Sequence, residues 1–109
     1  MAWLVSDAKV LASLEIAESR RAKLKGLLGR STFEGAILLT PVRSVHTMGM
    51  RFPIDVAFCD ADLVVLGVRR VKPHRLPLPP RHTRAVVEAE AGSFERWRLE
   101  IGDQLEVRR

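Results

Sequence analysis

Apolar residues recur along this chain in short runs with a period of two. Ala12, Leu14 and Ile16 lie two positions apart, with polar residues between them. This spacing is typical of a β-strand that has one buried face. The longest nearly continuous apolar run covers only residues 63–68, whereas a membrane-spanning helix needs about 18 residues. The sequence therefore favours short strands and argues against a transmembrane helix.

Turn-forming residues separate these runs and divide the chain into six or more short strands. A turn over residues 6–8 joins the first two strands, and a hairpin turn is expected over residues 60–62. The predicted strands cover residues 3–5, 10–16, 36–39, 54–59 and 63–71, a segment that begins at residue 85, and residues 104–107.

The first half of the chain contains one predicted helix, near residues 19–28. Ser19 is a suitable N-cap, and Gly29 offers a natural end. Gly26 lies inside this segment and costs about 1 kcal/mol relative to alanine, so we expect a short helix held by packing. Ser93 is expected to cap a single helical turn near residues 93–98, in which Phe94 and Trp97 pack in the same direction.

Prolines exclude regular structure between the predicted strand that ends at residue 71 and the one that begins at residue 85. Pro73, Pro77, Pro79 and Pro80 fall within eight residues, and proline cannot donate a hydrogen bond inside a helix or a central strand. We expect an extended connection there. With 109 residues, the chain suits a single domain over residues 1–109. The prediction is a mainly β domain, a small β-sandwich or partly open barrel of about six to eight mostly antiparallel strands.

Basic residues dominate the chain, which has a formal net charge of +5. Residues 69–84 hold six basic side chains and no acidic one, and such a surface attracts phosphates and acidic partners. The segment lacks the aromatic residues that stack on single-stranded nucleic acid, so an ordinary solvated face is favoured over a nucleic-acid or polyanion site. The basic residues concerned are Arg69, Arg70, Lys72, Arg75, Arg81 and Arg84.

Residues 44–55 follow neither the helical nor the strand period. Two methionines around a glycine are suited to lining a soft apolar pocket, because thioethers adapt to irregular shapes. Polar groups in the same segment could orient a polar or anionic ligand. The predicted ligand-binding residues are His46, Thr47, Met48, Met50, Arg51 and Asp55.

The same segment also raises a catalytic alternative. His46 could act with Asp55 or with Glu88 as an acid–base pair. The structural alternative is that Asp55 caps a loop or forms an ion pair with Arg51, and that His46 is a hydrogen-bonded core residue. Glu88 and Glu90 lie two positions apart on a strand and project to the same face, which would suit paired carboxylates, although a cross-strand pairing with an arginine is commoner.

The cysteine and the other two histidines form no recognisable reactive or metal site. Cys59 lies in an apolar strand next to Asp60, and a reactive cysteine needs nearby positive charge instead, so we expect it to pack in the core. His74 and His82 are poor evidence for zinc, which usually takes four ligands. The chain has no glycine-rich phosphate loop, no nucleophile elbow and no Cys-x-x-Cys pair. We therefore expect no metal and no cofactor.

The N-terminal segment begins without basic residues and reaches Asp7 at once. A secretory signal peptide begins with a basic region followed by an apolar one. We therefore expect a soluble, cytoplasmic protein.

Three blocks together resemble a known family: residues 26–30, residues 45–58, and residues 86–92 followed by Gly102 and Asp103. The order is similar to the prokaryotic family called domain of unknown function 192, or uncharacterised protein family 0127. The resemblance implies a compact, mainly β fold with a short helix after the first hairpin, and it implies no activity. Leu28 and His46 stand where that family more often has methionine and tryptophan.

Three functional hypotheses follow from these observations. The favoured one is a binding module that recognises a small polar ligand or a partner peptide beside residues 45–55. The alternative is a hydrolase-like enzyme that uses His46 with Asp55 or Glu88. A second alternative is a nucleic-acid or polyanion binder that acts through residues 69–84.

Overall fold

Seven strands and two short helices make up the protein in our computed structural model, which describes residues 1–30 and 33–109. The seven strands lie within the predicted range, and the mainly β prediction is confirmed. In chain order the elements are β1 (Ala2–Ser6), β2 (Lys9–Ala17), α1 (Arg20–Lys25), β3 (Ala36–Leu39), β4 (Ile54–Cys59), β5 (Val65–Val71), β6 (Ala85–Glu90), α2 (Ser93–Trp97) and β7 (Leu105–Arg108).

All strands belong to one mixed sheet with the order β5-β4-β6-β3-β2-β1-β7. Every neighbouring pair is antiparallel except β2 and β3, which run parallel. The exception follows from connectivity, because the chain passes over the sheet through α1 before it returns as β3, and parallel strands require such a crossover. The prediction of mostly antiparallel strands is therefore confirmed.

The two edge strands of the sheet meet at one end. The N–H of Val65 donates to the carbonyl of Asp103 at 2.9 Å, and the N–H of Gly102 donates to the carbonyl of Val65 at 2.8 Å. Val64 and Gln104 form an isolated bridge at the same place. The sheet is thus a half-barrel, the second of the two predicted architectures, and the bridge protects part of both edges.

The interior of the half-barrel is an apolar core to which every strand contributes. Phe94 of α2 packs into it, and Trp97 lies against it with the two ring centroids 5.4 Å apart. The prediction that Phe94 and Trp97 pack in the same direction is therefore confirmed. One residue from each strand, in order from β1 to β7, illustrates this core: Leu4, Leu14, Leu38, Ala57, Val65, Val87 and Leu105.

A second core covers the outer face of the central strands. Residues 22–28, 33 and 42–52 pack over it, so all six residues of β4 are buried. Strands that are covered on both faces have continuous apolar sequences rather than alternating ones. The outer core consists of Ala17, Leu27, Phe33, Ile37, Leu39, Val45, Met50, Ile54, Val56, Phe58, Val71 and Val86.

Helix α1 begins as predicted but ends earlier. The hydroxyl of Ser19 accepts the N–H of Ala22 at 3.1 Å, which confirms the N-cap. The predicted extension to residue 28 is wrong, because Gly26 is the C-cap, with φ of 46°. That conformation suits glycine and turns the chain so that Leu27 enters the outer core. No residue of α1 is fully buried, and Ala22 packs against the outer core in a partly buried position.

Helix α2 has a different cap from the predicted one. Ser93 is its first residue rather than its N-cap, and its hydroxyl accepts a hydrogen bond from Arg96 Nη2 at 3.2 Å. The N-cap is Gly92, which has no side chain that could accept the first N–H groups. The acceptor is the carboxylate of Asp55 on β4.

The connections between the strands lie where the sequence predicts turns and a proline-rich irregular segment. Asp7 and Ala8 both have positive φ at the first turn. Asp60 accepts the N–H groups of Asp62 and Val64 in the second, so β5 begins at residue 65 rather than 63. No helix or strand occurs between residues 72 and 84, which are all described. Neither described helix is long and apolar enough to cross a membrane.

Candidate functional site

A cavity of about 250 Å³ opens on the outer face of the sheet, between α1 and residues 42–50. Its size is below the ~300–1,000 Å³ typical of sites for drug-sized ligands, so it suits a small molecule. Most of its wall is apolar and continues the outer core. The apolar lining residues are Leu24, Leu27, Leu28, Leu39, Val42, Val45, Met48, Met50 and Leu76.

The wall of this cavity includes one buried carboxyl group, that of Glu88 on β6. The residue is only 3% exposed. Burial raises the pKa of Glu88 to about 7, and a hydrogen bond from the backbone of Leu27 opposes that rise. Within residues 1–30 and 33–109, no lysine, arginine or histidine nitrogen lies within 4 Å of this carboxyl group. Glu88 therefore lacks a counter-ion within these two described ranges.

Gly26 provides the space that the Glu88 carboxyl group occupies. A Cβ atom at residue 26 would lie 2.7 Å from Glu88 Oε1, closer than non-bonded atoms approach. Because Gly26 is also the C-cap of α1, one residue both ends the helix and admits the carboxyl group to the cavity wall.

Three cations of α1 surround the mouth of the cavity: Arg20, Lys23 and Lys25. Lys23 Nζ donates to the carbonyl of Pro41 at 2.9 Å, which ties α1 to the opposite rim. Arg20 and Lys25 are exposed. Positive charge around a cavity with apolar walls attracts anionic groups from solution.

Three of the predicted ligand-binding residues line the cavity. His46 is half-buried there, and its Nδ1 accepts the N–H of Met48 at 3.2 Å. Met48 is exposed at the rim, whereas Met50 is buried in the wall. The Nδ1 atom of His46 is therefore hydrogen-bonded within its own loop. Glu88 and Ser44 line the same cavity as His46.

Thr47 and Arg51 do not line the cavity. Thr47 is fully buried, and its hydroxyl contacts the carbonyl of Lys72 at 2.7 Å and accepts the N–H of Arg75 at 2.9 Å. It therefore anchors residues 72–84, here called the proline segment, to the loop of residues 44–50. Arg51 is exposed, away from the cavity.

Asp55 lies on the opposite face of the sheet, where it caps α2. Its Oδ2 accepts the N–H of Gly92 at 2.9 Å and that of Phe94 at 3.1 Å. Its Oδ1 accepts from Arg70 Nε at 3.2 Å. The structure therefore does not bring Asp55 together with His46 as an acid–base pair, nor with Arg51 as an ion pair. The reason is strand alternation, which points Asp55 away from the face that carries Glu88.

Sequence reasoning missed Gly26, the cations of α1 and the leucines as parts of one site. Residues 24–28 combine leucines with Lys25 and Gly26, but this composition predicts only a helix. The cavity forms because the chain folds back after Gly26 onto β3 and β6, and no local pattern reports that contact.

The basic segment is only partly assembled into one surface. Arg69, Arg70, Lys72 and Arg75 line a groove of about 370 Å³ together with residues 76–78. Arg70 is paired with Asp55 and Glu95. The remaining two residues of the predicted set, Arg81 and Arg84, are exposed and do not line this groove.

Cys59 is packed in the interior of the half-barrel with no exposed surface. Burial, together with the charge of Asp60, raises the pKa of the Cys59 thiol to about 12. In the part of the chain that the structure describes, no three histidine, cysteine or acidic side chains come together as a metal site would require.

Relatives of this chain are found among both sequences and structures. It is 29% identical over 106 residues to a UPF0127 protein of Pyrococcus furiosus, covering 93% of this chain and 91% of the relative. A UPF0127 protein of Pyrococcus horikoshii is 27% identical, with 94% and 96% covered.

Two solved structures share the fold. A protein of unknown function from Novosphingobium aromaticivorans has a TM-score of 0.81 at 22% identity, covering 96% of this chain and 82% of the other. A protein of Sinorhizobium meliloti, named as a candidate transcription regulator, has a TM-score of 0.80 at 22% identity, covering 97% and 91%. The profile of the DUF192 family, described as an uncharacterized ACR, matches residues 3–107. The chain therefore belongs to the DUF192 family, also called UPF0127.

Proposed function

We propose that this protein is a binding module that takes a small ligand in the cavity between α1 and residues 42–50. The observation that carries this proposal is the carboxyl group of Glu88, which is buried in an apolar wall and has no counter-ion among the described residues. Burying a carboxylate costs free energy unless a positive charge pairs with it, and the hydrogen bond from the Leu27 backbone does not supply that charge. A ligand in the cavity would supply it.

The shape and the lining of the cavity support a ligand with an apolar body. Leu27, Leu39 and Met50 are buried residues of the wall, so they form a fixed apolar surface. A few polar groups on such a surface fix the orientation of a ligand. Here those groups are Glu88 and His46.

The rim of the cavity is unusually apolar for an exposed surface. Leu24 is 63% exposed, Met48 is 48% exposed and Leu76 is 76% exposed. Exposed apolar residues that cluster around a depression mark binding sites, and methionine adapts its shape to a ligand. These three side chains can close over a bound molecule and bury part of their own surface.

A fragment screen followed by two-dimensional NMR tests the proposal. Bound fragments are expected to shift the amide resonances of residues 24–28, 39 and 45–50 more than those of β1 and β7. Leu28→Trp, which fills the cavity, should abolish these shifts. Val10→Trp is the matched control, because it adds the same ring at an exposed position that does not line the cavity. Shifts that persist in Leu28→Trp would refute the site.

Hydrolysis is the second candidate function, because Ser44, His46 and Glu88 all line the same cavity. These are the residue types of a hydrolytic triad, and a carboxyl group with a pKa near 7 suits acid–base work. No hydrogen bond joins any two of the three among the described residues, so binding ranks first.

The enzymatic candidate is tested with chromogenic esters of short acyl chains. Ser44→Ala, His46→Ala and Glu88→Gln should each abolish turnover if the three residues act together. Turnover that survives all three substitutions, or no turnover by the unaltered protein, would exclude this function.

A further inference from the structure

We infer that the ligand of this cavity is a small zwitterion whose protonated amine pairs with Glu88 and whose anionic group lies near Arg20 and Lys25. The inference rests on the proposed function and specifies the chemistry of its ligand.

The carboxyl group of Glu88 has no positive charge directly beside it among the described residues. Its neighbours on the adjacent strands are Ile37 and Val56, and no lysine, arginine or histidine nitrogen lies within 4 Å of it. A buried carboxylate is stabilised by a counter-ion far more than by a neutral partner. A hydroxyl group on the ligand would satisfy a hydrogen bond but would leave the negative charge uncompensated.

The basic groups nearest to Glu88 are directed away from its carboxyl group. Lys23 is bound to the carbonyl of Pro41, and Arg20 and Lys25 are exposed at the mouth. His46 accepts a hydrogen bond from the backbone through Nδ1. None of these four groups approaches the Glu88 carboxyl group within 4 Å, so the cavity itself is the open path to it.

The mouth of the cavity favours a ligand that carries a negative group as well as an amine. Three cations there repel a simple amine as it enters, and they favour a ligand that also carries a negative group. A chain of a few carbons between the two charges would lie along the apolar wall. The cavity volume of about 250 Å³ accommodates such a molecule.

Binding of the ligand should also release protons from Glu88. With a pKa of about 7, Glu88 is about half protonated at pH 7 in the free protein. Pairing with an ammonium group favours the carboxylate, so the displaced proton leaves to the buffer. Binding at pH 7 should therefore release up to about half a proton per ligand.

Two matched probes test the inference: 5-aminopentanoate and 5-hydroxypentanoate. They share the carboxylate and the carbon chain, and they differ only in the terminal group. By isothermal titration calorimetry at pH 7, the amine is expected to bind at least about tenfold more tightly than the alcohol. Titration in two buffers of different ionisation enthalpy should show the released proton.

Two variants that each replace one carboxyl group by an amide complete the test. Glu88→Gln should bring the ratio of the two affinities close to one, whereas Glu90→Gln, at an exposed position of the same strand, should preserve it. Circular dichroism and the melting temperature establish that both variants are folded.

The outcomes separate the inference from the proposed function. Equal binding of the two probes to the unaltered protein, or a ratio that survives Glu88→Gln, overturns the zwitterion but leaves the cavity as a binding site. If neither probe binds while other fragments do, the zwitterion is likewise overturned. If no fragment binds, the proposed function itself fails.

Discussion

Gly26 and Glu88 are mutually dependent, because a methyl group at Gly26 would come within 2.7 Å of Glu88 Oε1. The contact joins the end of α1 to the centre of β6. It therefore couples the termination of a helix to the placement of the carboxyl group that defines the cavity.

Gly26→Ala should lower the free energy of unfolding by about 1–3 kcal/mol, because φ of 46° strains any residue with a side chain. Part of this cost is the collision with Glu88. In a Glu88→Ala background the same substitution should therefore cost less, as chemical denaturation would show. Gly29→Ala is the control, since it also has positive φ but nothing lies within 4 Å of its Cβ. Equal costs of Gly26→Ala in both backgrounds would contradict the coupling.

The stability of the protein should fall with rising pH between about 4.5 and 7 because of Glu88. Its pKa is about 7 in the folded state and 4.5 ordinarily, so the folded state binds more protons in that window. The free energy of unfolding should decrease by about 3 kcal/mol relative to the Glu88→Gln variant and then level off.

Urea denaturation at several pH values measures this effect. The groups that line the same cavity, Arg20, Lys23, Lys25 and His46, are unchanged in the variant, so they largely cancel in the comparison. Glu90→Gln should behave like the unaltered protein. A parallel pH dependence of the unaltered protein and Glu88→Gln would show that Glu88 does not titrate in this window.

Asp55→Ala should cost about 2–4 kcal/mol, because it removes the acceptor for two N–H groups of α2 and the buried partner of Arg70. Ligand affinity in the cavity should change little, since Asp55 faces the other side of the sheet. Glu95→Ala is the control: it removes the exposed partner of the same arginine, which should cost less than about 1 kcal/mol. A large loss of affinity in folded Asp55→Ala would argue against this separation.

Thr47→Val should cost about 2 kcal/mol, because it keeps the shape of the side chain but loses its hydrogen bonds to Lys72 and Arg75. Amide hydrogen exchange should become faster in the proline segment. Thr47→Ser, which keeps the hydroxyl group, should restore most of the protection. If Thr47→Val is as stable as the unaltered protein, this anchor is unimportant.

The Cys59 thiol should react with a disulfide reagent only when the protein unfolds. It has no exposed surface, and a pKa of about 12 leaves almost no thiolate at neutral pH. The rate of modification should therefore follow the free energy of unfolding across a denaturant series. Rapid modification under native conditions would contradict the packed position of this residue.

Much of the β architecture could be predicted, because it depends on short-range features of the sequence. The period of two, the turn at residues 6–8 and the prolines after residue 72 act over a few residues each. The end of α1 was predicted wrongly at Gly29, because both Gly26 and Gly29 can adopt a positive φ. The approach of Glu88, which leaves no room for a Cβ atom at residue 26, is visible only in the tertiary structure.

The candidate site, too, could be predicted only in part from the sequence. Its methionines and His46 could be recognised by their composition within one irregular segment. The roles of Asp55 and Thr47 could not, because their partners are distant in the chain: Asp55 reaches Gly92 across 37 positions and Thr47 reaches Lys72 across 25. Such contacts leave no periodic trace in the sequence.

By itself, the sequence determined the strands, the start of α1 and the irregular proline segment, since local sterics, periodicity and capping act within a few residues. Only the tertiary structure decided which carboxyl group faces the cavity and which one caps α2. Asp55 and Glu88 are both buried acidic residues on central strands. Their side chains point to opposite faces of the sheet, so Glu88 faces the cavity beside α1 and Asp55 caps α2. The register of strand pairing determines which residues become neighbours, and this register cannot be read from distance along the chain.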